Sequence, residues 1–251
     1  MKNNNKVCVY TVVCGEYDIV NPVMYMEPGV DYICFTDDKY LNEVPDCWQH
    51  IVIENDKLST KDLNRYYKIN VTKILSEYER SIYIDGNIEI IKLPLVIREC
   101  MHDESVDIAM YDHNLRNDIY HEANQCIEFG LDYYWEFKRQ ITRYNQSGYK
   151  SDKLFEANII YRKHTEKMSL AMSRWWDEYL SGAKRDQISF GYSMHVGGID
   201  VTSLGLSDVR NAQANFKIHH HEYPLKYKLN KRCIKVINKI CLKLFGKLTH
   251  E

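Results

Sequence analysis

A chain of 251 residues is long enough for one large α/β domain, and 45% hydrophobic with 27% charged residues is the balance of an ordinary globular protein. Its formal net charge of −2 gives no global attraction to nucleic acid or to an anionic membrane, so nucleic acid is not an expected partner and a membrane would need a local patch. Eight cysteines form no Cys-x-x-Cys pair, Met1–Lys6 is polar, and no apolar run approaches membrane-spanning length; together these predict a reduced, cytoplasmic protein.

Val7–Val13 is a continuous β-prone run ending in Cys14-Gly15-Glu16-Tyr17-Asp18, which predicts a buried strand followed by a glycine-bearing loop. Asp31–Asp38 and Trp48–Glu54 repeat the strand pattern, and three strands so close together predict the start of a nucleotide-binding half-domain. Thr60–Tyr78 predicts one helix, capped by Ser59 or Thr60, with Arg65 and Lys68 on a shared face. Solvation explains most such basic pairs; here the pair also precedes a strand whose tip is a candidate site.

That strand is Ser81-Ile82-Tyr83-Ile84-Asp85-Gly86-Asn87-Ile88-Glu89. It stops abruptly and presents the Asp85 carboxylate and the Asn87 amide, with Gly86 permitting close approach, a set that suits a divalent cation carrying a diphosphate. A hairpin turn is the plain alternative.

Further strands are predicted at Asp107–Met110 and Ile159–Arg162, and helices from about Leu95 to Cys100, through Cys126 and Ile127, over Leu131–Tyr144 and over Met168–Leu180. The stretch Tyr111–Ala123 is dense in His, Asn and Arg just past a strand and reads as a surface loop or a binding loop, with His113 and Arg116 its candidates. Lys184–Phe190 begins another helical segment and sets Asp186 beside Gln187, as a cap or as a site at a helix N-terminus. Ile199–Leu206 is irregular or strand-like, and one of His219–His221 is a candidate metal ligand. From Leu225, lysines fall four apart on one helical face with apolar residues on another, suited to an anionic membrane surface or to packing on the protein's own domain.

In this order the parts resemble a GT-A glycosyltransferase. More narrowly they resemble the glycosyltransferase family that includes the plant turgor-regulation-defect and mucilage-related proteins and bacterial polysaccharide biosynthesis proteins. The resemblance is carried by Tyr10-Thr11 with Gly15–Asp18, Tyr32–Asp37, Arg65 to Lys68, Tyr83–Asn87, His113–Ala123, Glu156-Ala157-Asn158 and Arg185–Phe190, and it reaches His221. It implies a Rossmann-like α/β fold with a mixed, mostly parallel central sheet flanked by helices over residues 1–223, with 224–251 a basic amphipathic helical tail.

The resemblance also implies roles. Thr11, Gly15 and Tyr17 would border the nucleotide of a sugar donor, a UDP-sugar first among them, with Asp37 near its base or ribose. Asp85 and Asn87 would hold Mn²⁺ or Mg²⁺ across the diphosphate, with His219 or His221 closing the shell and Arg65 and Lys68 as its substitute. Asp186 and Gln187 would stand near the anomeric carbon with retention expected, or Asp186 would act as base for inversion, Glu156 being the second acid. His113 and Arg116 would help form the sugar or acceptor pocket. The expected reaction is sugar transfer to a capsule, lipopolysaccharide or other surface glycan, possible lipid-linked acceptors included. A metal-dependent hydrolase and a noncatalytic nucleotide-sugar or glycan-binding module are the alternatives.

Overall fold

Seven consecutive β-prone residues build β1 (Val7–Val13), and all seven are buried, as in a strand covered on both faces. The computed structural model describes residues 6–15, 18–37, 43–54, 57–207, 209–220 and 225–250. Parallel to β1 run β2 (Val30–Thr36) on one side, with β3 (Gln49–Val52) beyond it, and β4 (Arg80–Ile84) on the other. The connection from β3 to β4 carries α1 (Thr60–Ile69) and α2 (Val71–Ile74). The single helix expected over Thr60–Tyr78 is thus divided at Asn70, where φ is −88° and ψ 23°. Asn70 bonds Tyr66 O through its side chain, and the last carbonyls of α1 find outside donors, so the ladder has no need to continue. Tyr10 Oη donates to Lys68 O at 2.8 Å, and the buried Arg162 donates to Ile69 O and to Tyr10 Oη.

After β4 the chain leaves the sheet. β5 (Ile88–Ile90) pairs antiparallel with β9 (Phe216–Ile218) in a separate two-stranded ribbon, so Asp85-Gly86-Asn87 is a crossing between sheets and not a hairpin turn. Gly86 is required there by contact: a Cβ would stand 2.6 Å from Val13 Cγ2. α3 (Leu95–His102), β6 (Ile108–Asp112), α4 (Ile119–Phe129) and α5 (Tyr134–Gln146) follow. β7 (Phe155–Lys163) starts four residues before the expected Ile159, which puts Glu156 and Asn158 inside a strand. α6 (Glu166–Ser181), α7 (Asp186–Gly197) and β8 (Thr202–Leu206) complete the domain.

Among the described residues the main sheet has seven strands in the order β3-β2-β1-β4-β7-β6-β8, and β7 alone runs against its neighbours. This is a mixed, mostly parallel sheet flanked by helices, a Rossmann-like α/β fold. One apolar layer includes Ile82, Ile97 and Tyr161, and the other packs Tyr10, Leu63, Trp175 and Phe190 from β1, α1, α6 and α7. Because β7 is reversed, its beginning lies beside the end of β4: Asp85 N donates to Asn158 O at 2.9 Å.

α8 (Leu225–Phe245) lies against α4 and α5. Asn238 is fully buried; it donates to Ile127 O and Asp132 O and accepts from Tyr134 N. Gly130 lets the helix come close, since a Cβ there would stand 2.5 Å from Lys231 O. Asn124 and Leu248 exchange two hydrogen bonds beyond the helix end. Among the described residues no helix is long and apolar enough to cross a membrane.

Candidate functional site

The candidate site is a cavity of about 310 Å³ at the carboxyl ends of β1 and β4, walled by α1, the start of β7 and the start of α7. In open α/β sheets this is where ligands bind. Ser59 caps α1 by accepting from Asp62 N, and the helix turns Lys61, Asn64, Arg65 and Lys68 toward the cavity. Those positions fall at i, i+3, i+4 and i+7, one face of a helix. Asn64 ties that face to the sheet by donating to Val12 O at 2.7 Å.

Lys68 is the centre of the arrangement. Its side chain is 1% exposed, and Nζ lies 2.7 Å from Asp186 Oδ2 and 3.5 Å from Asp85 Oδ1, over the ring of Tyr83. Arg65 Nε reaches the same Asp186 oxygen at 3.2 Å. Burial pushes the Asp186 carboxyl up, but the Arg65, Lys68 and Arg185 charges outweigh it and hold the group well below the usual carboxylate range. Asp186 is the first residue of α7, behind Arg185 as its cap, so its plain capping alternative gives way to a carboxylate held between cations. Gln187 lines the cavity, donating to Phe155 O and accepting from Arg185.

Asp85 takes a hydrogen bond from Tyr83 Oη at 2.7 Å, and its side chain stays 28% exposed toward the cavity. Glu156 also lines the cavity, buried and bound by Arg210 at 2.8 and 3.2 Å, with His113 Nε2 at 3.8 Å. Asn158 lines it too, and its buried Oδ1 has no hydrogen-bond partner among the described residues.

The remaining sequence candidates fall elsewhere. Gly15, at a φ of 76°, donates to Asp37 Oδ2 at 2.7 Å, joining the ends of β1 and β2 beside the cavity. Thr11 is buried within β1 and is not among the lining residues, whereas Cys14 and Asp18 are. His113 and Arg116 stand behind the wall: His113 Nδ1 accepts from the Leu115 and Arg116 amides, and Arg116 pairs with the buried Glu122 at 2.6 Å. Burial lowers the His113 pKa against the pull of Glu156. Tyr17 and His221 lie outside the described residues.

Among the described residues the metal-donor set does not assemble. His219 is brought beside Asn87 by two hydrogen bonds, Asn87 Nδ2 to His219 O and His219 N to Asn87 O. Its imidazole, however, bonds Glu89 at 2.8 Å, and the Asp85 carboxylate already meets Lys68 and Tyr83. Among the described residues no three His, Cys, Asp or Glu side chains could share one ion. A divalent cation fits this arrangement poorly, because its natural carboxylate partners already face a fixed ammonium.

Lys61, Asn64, Asn158, Arg185 and Arg210 escaped the sequence reading as individual site residues. Lys61 and Asn64 had a visible signal in the helical spacing they share with Arg65 and Lys68, and Asn158 and Arg185 in the motifs that carry the resemblance; Arg210 had none.

The family model described as TOD1/MUCI70, glycosyltransferase-like domain, matches residues 1–204. The chain belongs to that family. No curated protein matches it. Within the TOD1/MUCI70 match lie all the cavity residues named above except Arg210, while α8 falls beyond its end.

Proposed function

We propose that this protein transfers a sugar from a nucleotide-sugar donor, a UDP-sugar first among candidates, to a surface-glycan acceptor. The observation that carries the reading is the cluster of Arg65, Lys68 and Arg185 around Asp186, in a cavity at the strand ends of a glycosyltransferase-like domain. Breaking the bond between the anomeric carbon and the phosphate oxygen leaves charge on the departing diphosphate. Fixed cations in a partly dry cleft stabilise that charge without reorganising. They take the role first assigned to Mn²⁺ or Mg²⁺, and the mechanism needs no step through a metal.

The state of the acids supports retention. A general base works best with a pKa near the operating pH. Asp186 is held far below it by three cations, and Glu156 is paired with Arg210. The leaving diphosphate oxygen is then the base at hand: it accepts the acceptor hydroxyl's proton as the new C–O bond forms on the same face. Asn158, with its unpartnered oxygen, and Gln187 would hold the sugar; Gly15 and Asp37 would lie toward the nucleoside.

Titration calorimetry with UDP, in Mn²⁺ and again in EDTA, and donor hydrolysis across a panel of nucleotide sugars test the proposal. We expect UDP affinity to be the same with and without the metal, and donor turnover to be lost in Lys68→Met. Binding that vanishes in EDTA would restore the metal. Binding with no turnover of any donor, with or without acceptor, would leave a noncatalytic module.

A further inference from the structure

The helix α8 has three sides, and among the described residues the domain packs on one of them. Ile234 and Asn238 are buried against the domain, with Cys241 and Leu242 partly buried beside them. On another side Leu229, Val236, Ile240 and Leu244 are 55, 58, 55 and 70% exposed and fall at spacings of seven, four and four, a continuous apolar stripe. Between stripe and docked side run Lys228, Arg232, Lys235, Lys239 and Lys243. Residues 225–250 contain eight Lys or Arg and no Asp or Glu, so the chain's net charge of −2 hides a strongly basic end on an acidic remainder. An exposed stripe of this length on a monomer surface marks an interaction site.

We infer that α8 lies along an anionic lipid bilayer, its leucine, isoleucine and valine stripe in the acyl boundary and its lysine row at the headgroups. Charge complementarity selects this occupant. A second copy of the chain meeting the same face would set one lysine row against another, and like charges in contact repel. A bilayer with acidic headgroups meets the lysines with opposite charge and the stripe with hydrocarbon. The helix, 21 residues and about 32 Å long, is fastened to the domain by Asn238 and so would carry the domain with it. Tyr227, near its start, lines the cavity. If the transfer reaction proposed above holds, the acceptor is then a glycan carried on a membrane lipid; the membrane contact itself does not depend on that reaction.

The test is cosedimentation of the 251-residue protein with vesicles of phosphatidylcholine alone or mixed with phosphatidylglycerol. We expect binding to the mixed vesicles only. Replacing Lys235, Lys239 and Lys243 by Gln should lower the partition coefficient about 150-fold, at about fivefold per lysine. Replacing Leu229, Val236, Ile240 and Leu244 by Gln should abolish binding while leaving the circular dichroism and Tm unchanged, because these side chains touch solvent. No binding by the unaltered protein would overturn the inference, as would full binding by the Gln-stripe variant, which would reduce α8 to a general polyanion patch. A dimer by light scattering that only the Gln-stripe variant loses would assign the face to a second copy instead. UDP calorimetry on the same samples reports on the donor site separately, so failure of either proposal is seen without the other.

Discussion

Lys68 and Asp186, 118 residues apart in the chain, meet at 2.7 Å inside the cavity wall. Both are nearly inaccessible, so the pair has little water to lean on and relies on its neighbours. Removing one partner of a buried pair leaves an unpaired charge, which is destabilising by about 3–5 kcal/mol. Lys68→Met is expected to fall near the low end of that range, because Arg65 still reaches Asp186. Urea denaturation measures it, and UDP affinity should drop in the same variant.

Asp186→Asn keeps the shape of the side chain and removes its charge. Three cations then face the cavity with less opposition, so UDP affinity, measured by titration calorimetry, should hold or tighten. Weaker UDP binding in the variant would show instead that this carboxylate is needed to hold Arg65 and Lys68 in place.

Gly86→Ala should destabilise by about 1–3 kcal/mol. The new methyl would sit 2.6 Å from Val13 Cγ2, and Val13 is buried in β1 with no room to turn. A thermal melt of the variant checks this, and Gly86→Ser should behave no better.

Burial, reinforced by the Arg162 charge, pushes the His164 imidazole down to about 4. The unfolded chain takes up the proton near pH 6.5, before the folded one does, so the stabilisation is complete above about pH 6.5 and is lost as pH falls toward 4. The loss should reach about 2 kcal/mol by pH 4.5 after allowance for partial exposure. The depressed Asp186 carboxyl contributes its own loss only below about pH 4, so the two windows separate. Urea midpoints between pH 7.5 and 4.5, with His164→Gln flattening the curve, test the assignment.

Asn238→Leu removes two donors' worth of contact to Ile127 O and Asp132 O and the acceptor for Tyr134 N. Unsatisfied buried groups of this kind are worth about 1–3 kcal/mol each. Undocking of α8 should follow, seen as faster hydrogen exchange over residues 225–250 with the sheet unchanged.

Much of the fold was legible because its signals are local. The runs at Val7–Val13 and Arg80–Ile84 are apolar enough to mark central strands, and Asp85 and Asp186 announced themselves by standing at element ends. What was not legible depends on partners far away in the chain. Whether Asp85 faces a metal or an ammonium is decided by the rotation of α1, which Tyr10 and Arg162 set by binding its last carbonyls. His219 was expected beside the strand tip and its backbone is there, yet Glu89, one strand residue further on, holds the ring. The apolar residues of α8 were read as one face; Asn238 divides them into a docked set and an exposed set, and a polar residue at the centre of a buried face leaves no periodic trace.

The reversed direction of β7 places a strand's entrance, and not its exit, on the rim of the cavity. The segment 147–154 leading into it is therefore a lever on selectivity, while the turn at His164 lies at the opposite end of the sheet. Lengthening or shortening the former would retune what Glu156 and Asn158 present, and the same change at the latter would pass unnoticed by any ligand.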